Sequence, residues 1–314
     1  MKIVIKFAGA LLEEGATLRA LARQVATLAK EGHELLIVHG GGRLFTATLK
    51  RMGLESKFVA GLRVTDRDAR DVAVMVFAGL LNKRLAAAIS AEGQPTTGIS
   101  AADAQCFRAE PLVHNEVEGG LGFVGYLTGL NAAFLESLWR EGLVPVAPCL
   151  GLGSDNELYN INADHMAAAC AEFLNAGQLI YLTDVAGVLD GEKVLSTITC
   201  EEIERLVQSR VVSGGMVLKL EAAKRALEGG VREVRIVGVR SIITRMSMAA
   251  GIDACKTGSS ALTRSTVCRM FAPGCLRTKI RIAGLPLESA RLRTFSTESC
   301  TVATSASRTG APLR

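Results

Sequence analysis

Three things are missing from this sequence: an apolar run that reads as a membrane span, cysteines at metal-ligand spacing, and a basic stripe interleaved with aromatics. Each absence removes a class of function. A bilayer-crossing helix needs about 20 consecutive, mainly apolar residues, and the start Met1-Lys2-Ile3-Val4-Ile5-Lys6 reads as a strand, not as the apolar core of a signal peptide. The expected setting is cytoplasmic, where the eight cysteines should be free thiols. Aromatics make up 4% of the chain, and the net charge of +5 is unevenly spread: residues 239–314 hold 12 Lys and Arg against 3 Asp and Glu, residues 1–238 the remaining 24 against 28. The body is mildly acidic, so no nucleic-acid or membrane partner is expected of it.

What is present is enough apolar residue, 49% of 314, to bury a large core. The most informative stretch is Glu34-Leu35-Leu36-Ile37-Val38-His39-Gly40-Gly41-Gly42, a buried-strand pattern stopped by three glycines and followed by a helical pattern. Glycines there admit a ligand to bare N–H groups at a helix start, which makes an anion site; a plain strand-to-helix turn is the simpler reading. Lys6-Phe7-Ala8-Gly9 ends the first strand in a similar way, with a lysine that is either a phosphate contact or a surface charge. Two such units in succession put two phosphate-type loops at one edge of a parallel sheet.

Further along, Arg63 in Gly61-Leu62-Arg63-Val64-Thr65-Asp66 precedes a long helical stretch, capped by Thr65 or Asp66, from about 67 to 91. An arginine there can clamp a carboxylate through two parallel hydrogen bonds, or can simply be exposed. Residues 106–127 read as a hairpin excursion, either a lid or an edge ribbon. In Asn160-Ile161-Asn162-Ala163-Asp164 the two asparagines should point the same way from an extended segment, and Asp164 opens a helix, the usual place of a cap. Thr183-Asp184-Val185-Ala186-Gly187 is a small-residue loop at a strand end, and Lys219 lies in the first turns of its helix, where the dipole disfavours a cation unless an anion is bound.

Together with Gly215-Met216-Val217-Leu218-Lys219, these segments occur in an order that resembles the amino-acid kinase family, most closely its acetylglutamate kinase branch, over roughly residues 1–238. The resemblance implies an α/β fold, a three-layer α/β/α sandwich with an open, mainly parallel sheet. It implies an acetylglutamate-binding lobe at 1–177, with the phosphate loops and a lid hairpin, and a nucleotide-binding lobe at 178–238. The implied activity is phosphorylation of the γ-carboxylate of N-acetyl-L-glutamate by ATP in arginine biosynthesis, with Mg²⁺ held mainly by the nucleotide phosphates. Lys6 and Lys219 would flank the transferring phosphoryl group and Asp164 would hold them. Gly9, Gly41 and Gly42 would meet phosphate oxygens, Arg63 and Asn160 the acyl amino acid, and Asp184 with Gly187 the nucleotide. No residue is assigned to a metal.

Two departures qualify the resemblance. Ala8 stands where the family pair has its first glycine, so its methyl is expected to crowd the phosphate or strain the backbone. The basic, Ser- and Thr-rich stretch 239–314 shows no sustained periodicity and none of the family's closing elements, which reads as disorder or an altered reading frame. Alternatives to the acetylglutamate reading are a kinase for acetylated or carrier-bound aminoadipate and a non-catalytic amino-acid-binding relative. A first strand at Lys2, with no helix ahead of it, and apolar helix positions Val72, Val74, Val76 and Leu80 point to an arginine-insensitive homodimer.

Overall fold

The computed structural model describes residues 1–59, 61–113, 120–185, 187–190, 193–195, 197–239 and 279–283. Two strand-loop-helix units open the chain: β1 (Lys2–Phe7) with α1 (Gly15–Lys30), then β2 (Glu34–His39) with α2 (Gly42–Arg51). The short pair β3 (Phe58–Val59) and β4 (Leu62–Arg63) leads to α3 (Arg67–Val74), capped by Asp66, whose side chain accepts from the Ala69 amide. A π-helical turn at Met75–Leu81 carries this helix into α4 (Asn82–Ala91). Next come β5 (Thr96–Gly98), β6 (Phe107–Pro111), β7 (Val124–Leu130), α5 (Ala132–Arg140), β8 (Val144–Pro148), β9 (Leu150–Leu152), β10 (Leu158–Ile161) and α6 (Ala163–Phe173). The rest is β11 (Gln178–Thr183), β12 (Leu189–Asp190), β13 (Lys193–Val194), β14 (Thr197–Thr199), α7 (Cys200–Gln208), α8 (Gly215–Glu228), β15 (Glu233–Gly238) and β16 (Lys279–Ala283).

Eight strands form one sheet in the order β14-β16-β15-β11-β1-β2-β8-β5, parallel throughout except where β14 meets β16. The fold is therefore α/β with a mainly parallel central sheet. Its central strands are mainly apolar because helices leave neither face to solvent: all of Ile3–Phe7 and Leu35–His39 is buried, with Lys6 and His39 the polar members at the carboxyl ends. Within the helical layers α6 packs on β1 and α8, and α1 packs on α4. Strands β10, β7, β6 and β9 close into a small barrel beside the main sheet.

Several expectations change here. The helix from Arg67 to Ala91 is by length and composition apolar enough to cross a bilayer, with a mean hydropathy of 1.7 in its most apolar stretch, contrary to the sequence reading; half of that stretch is buried in the fold. Val72 and Val76 belong to the core, so of the four positions read as a dimer face only Leu80 is well exposed, at 42%, joined by Met75 at 54%. The hairpin at 106–127 exists as β6 and β7, with Phe107, Ala109, Val124 and Leu127 buried in the barrel, while 114–119 lies outside the described residues. Finally, Lys279–Ala283 in the atypical tail is a strand between β15 and β14. Its alternation Lys-Ile-Arg-Ile-Ala is too short to stand out in an aperiodic context; residues 240–278 and 284–314 lie outside the described residues.

Candidate active site

Strands β1 and β2 run in register, Phe7 opposite His39, so their following loops leave the same edge of the sheet. Gly9 starts a 3-10 turn (Gly9–Leu12) and Gly41 precedes α2. The two loops touch through backbone. A Cβ on Gly9 would sit 2.8 Å from the Gly41 Cα, and one on Gly41 only 2.2 Å from Leu81 Cδ1, so glycine is required by space at both. The first amides of a helical segment have no acceptor within it, which leaves N–H groups of the two loops side by side, an arrangement suited to an anion. Ala8 is extended, φ −68° and ψ 137°, a conformation open to any residue, so the backbone strain expected of it is absent.

Beneath the second loop lies a fully buried His39. Its Nδ1–H donates to the Gly40 carbonyl at 3.0 Å, leaving Nε2 to accept from Asn82 Nδ2 at 3.4 Å. Burial pushes its pKa down to about 4, against a small opposing effect of the Gly40 bond, so the ring is neutral at physiological pH. Asn82 also donates to the Val146 carbonyl at 2.8 Å.

The ends of β1, α6 and α8 bring three charges together. Lys6 Nζ and Lys219 Nζ lie 2.9 and 2.8 Å from the same oxygen, Asp164 Oδ1, and both lysines are buried. The surface reading of Lys6 and Lys219 is thereby excluded. The cap of α6 is Asn162, whose side chain accepts from the amides of Asp164 and His165. Asp164 is thus released from the capping role its position suggested, and the Asn162 oxygen is committed to the helix start and not to an amino-acid head. Burial pushes the Asp164 carboxyl up, but the two lysines outweigh it and hold it at about 2. Burial first, then the neighbouring Lys6 charge, lower the Lys219 pKa to about 8, with Asp164 opposing. Lys219 also stands 5.0 Å over the ring of Tyr181.

Arg63 is buried rather than exposed. Its guanidinium is sandwiched by Phe45 and Phe58, at 4.6 and 4.4 Å from the ring centres, and Nη2 donates to Thr46 Oγ1 at 2.6 Å. Nη1 is buried and has no partner among the described residues. An orphaned guanidinium donor is costly to bury, and a carboxylate would satisfy it. Asn160 reaches the same place from β10: its Nδ2 donates to Thr65 Oγ1 at 3.2 Å, and that hydroxyl donates to the Arg63 carbonyl at 3.0 Å.

Asp184 stands apart at the carboxyl end of β11, half exposed, 3.6 Å from Arg43 beside the glycine loop. Gly187 is buried at φ 148°, a backbone that favours glycine, and no hydrogen bond or ion pair links it to the other candidates among the described residues.

Residues 1–238 match the amino acid kinase family. The chain belongs to that family. The acetylglutamate kinase of Koribacter versatilis is 50% identical over 240 residues, 76% of this chain and 90% of the relative. That of Acidobacterium capsulatum is 45% identical with the same coverage. A solved structure, smu.665 from Streptococcus mutans UA159, is 28% identical, covers 76% of this chain and 94% of its own, and superposes with a TM-score of 0.69.

Sequence reasoning did not find every residue of this amino acid kinase site. Thr46 carries a detectable signal, since it lies one helical turn after Gly42 and so shares its face. Asn82 is a polar residue in an apolar helix, a signal that a partner is needed. Tyr181 sits in the apolar middle of its strand, between Ile180 and Leu182, and gives none.

Proposed function

We propose that this kinase transfers the γ-phosphoryl group of ATP to the γ-carboxylate of N-acetyl-L-glutamate, a step of arginine biosynthesis. The observation that carries the proposal is the sharing of Asp164 Oδ1 by Lys6 and Lys219 beside two loops of free amides. Two cations against one carboxylate leave the centre with net positive charge, ready for a phosphoryl group in flight. The names of the relatives favour acetylglutamate over an aminoadipate derivative and over a non-catalytic role.

In this reading an ionised carboxylate oxygen of the acceptor forms a bond to the γ-phosphorus while the bond from that phosphorus to the β–γ bridging oxygen breaks, and ADP leaves with the electron pair. The attacking oxygen is already anionic, so no general base is needed. Lys6 and Lys219 offset the charge on the phosphoryl oxygens, Asp164 fixes both ammonium groups, and amides of Gly9, Gly41 and Gly42 take phosphate oxygens. Arg63 and Asn160 hold the acyl amino acid; Asp184 and Gly187 border the nucleotide. Mg²⁺ would be held mainly by the nucleotide phosphates, which suits its reluctance to shed water. The remaining parts of the proposal are cytoplasmic action and a homodimer through the exposed Met75 and Leu80.

A coupled assay offering N-acetylglutamate, N-acetylaminoadipate and glutamate tests it, with N-acetylglutamate expected to give by far the highest kcat/KM. Arg63→Ala should raise KM for N-acetylglutamate about tenfold or more and leave KM for ATP nearly unchanged. Equal effects on both substrates would refute the clamp.

A further inference from the structure

We infer that Thr46 is a positioning residue that ties the arginine clamp to the glycine loop, an inference that rests on Arg63 holding the acceptor's carboxylate. Thr46 lies one turn into α2 with its side chain exposed. Its one hydroxyl bridges two elements: Oγ1 accepts from Arg63 Nη2 at 2.6 Å and donates to the Gly42 carbonyl at 2.8 Å. Both directions are forced, because a guanidinium only donates and a carbonyl only accepts.

Arg63 needs such a stop. The rings of Phe45 and Phe58 confine its guanidinium to a plane but leave it free to turn within that plane. The bond to Thr46 removes this rotation and leaves buried Nη1 as a donor without a partner among the described residues. At the other end of the relay the Gly42 carbonyl points along α2 toward Thr46, while its amide points out of the helix start toward the site. One hydroxyl therefore sets the distance between the group that holds the acceptor and the loop that takes the phosphate. Misplacing a nucleophile relative to its electrophile by a fraction of an ångström lowers the rate of transfer.

Thr48 supplies an internal control. It makes the same local bond, Oγ1 donating to the Leu44 carbonyl at 2.8 Å, and among the described residues receives no donor from another element. The local bond alone is an ordinary feature of threonine in a helix.

The test compares Thr46→Val, Thr46→Ser, Thr48→Val, Arg63→Ala and the double variant Thr46→Val/Arg63→Ala in the full chain. Thr46→Val should raise KM for N-acetylglutamate about fivefold and lower kcat about threefold, with KM for ATP within about twofold. Thr46→Ser should restore both values, Thr48→Val should match the unaltered protein, and the double variant should have the KM of Arg63→Ala alone. Wild-type kinetics for Thr46→Val, failure of serine to rescue, or multiplied effects in the double variant would each overturn the relay while leaving the clamp intact. A normal KM in Arg63→Ala would instead remove the clamp, and the relay with it.

Discussion

Two clusters of charge, one buried throughout and one buried only at its central arginine, are balanced differently. In the first, Lys6 and Lys219 share a single carboxylate oxygen of Asp164. In the second, buried Arg70 pairs with Asp71 at 2.7 Å and with Glu157, Arg67 reaches Glu157 at 3.7 Å, and Phe123 lies 4.5 Å beneath the Arg70 guanidinium. Two cations there meet two anions. This cluster lines a cavity of about 310 Å³ with Val74, Asn156 and Leu158, yet its charges already satisfy one another. A buried charge without a full partner costs several kcal/mol. The fold therefore carries such an imbalance where an anionic ligand will relieve it, and avoids it where the only task is to join α3 to β10.

The ionisation of the first cluster points the same way. Asp164 has a folded pKa below its ordinary 3.8, so its contribution to stability is present above that value and is lost as pH falls toward about 2. Lys219 has a folded pKa of about 8, below its ordinary 10.5. Below pH 8 the folded state bears the cost of a buried ammonium, a cost that fades as pH rises from 8 to 10.5. At neutral pH the two shifts act on stability in opposite directions.

The largest expected effect follows directly. Lys219→Met should lower kcat about a hundredfold or more without lowering the unfolding midpoint in urea, because an apolar side chain of similar length removes the buried charge and leaves the Lys6–Asp164 pair. A large loss of stability together with a normal kcat would reverse the assignment of the two clusters. The matching change in the balanced cluster, Arg70→Ala, should cost about 2 kcal/mol of stability by leaving Glu157 and Asp71 without their main partner. Its kcat should stay within about twofold. A collapse of kcat there would mean that the cavity beside Arg70 takes part in the reaction.

How much of this could be read from the residues depended on whether the signal was local. Strands β1, β2 and β11 were legible because burial on both faces demands continuous apolar runs. The glycine loops were legible because close packing leaves no room for a Cβ, against backbone at Gly9 and against Leu81 at Gly41. The charge trio follows from no periodicity, since Asp164 and Lys219 are 55 positions apart; Lys6 and Lys219 drew notice singly from their local positions, and only the family resemblance grouped them with Asp164. Asp164 looked like a cap because acidic residues usually are at that position; that Asn162 takes the cap is a matter of which side chain reaches the amides first. Thr46 was missed because its role appears only once β4 lies across α2.

A smaller effect sharpens the comparison through pH. Because the folded Lys219 titrates at about 8, kcat/KM for ATP should fall as pH rises past that value, the profile reporting the free enzyme. Bound phosphate stabilises the ammonium form, so the corresponding limb in kcat should lie higher. Lys219→Arg should abolish the limb near 8 even if its overall rate is lower, since a guanidinium keeps its proton. An unchanged limb in that variant would assign it to another group.

The smallest effect is expected two residues after Lys6, at the position where the sequence raised the strongest doubt. Ala8 is extended, its amide donates to the Leu182 carbonyl at 3.2 Å, and its methyl packs partly buried against the core. Glycine there gains no conformation that alanine lacks, whereas it frees the unfolded chain. Ala8→Gly should therefore cost about 0.5 to 1 kcal/mol of stability and leave KM for ATP within about twofold. The contrast with Gly9 and Gly41 is one of space, because a Cβ at those positions collides with backbone or with Leu81. If Ala8→Gly instead lowered KM for ATP several-fold, the methyl would be in contact with the phosphate, and the positive charge of the lysine pair would be working against a steric obstacle that glycine removes.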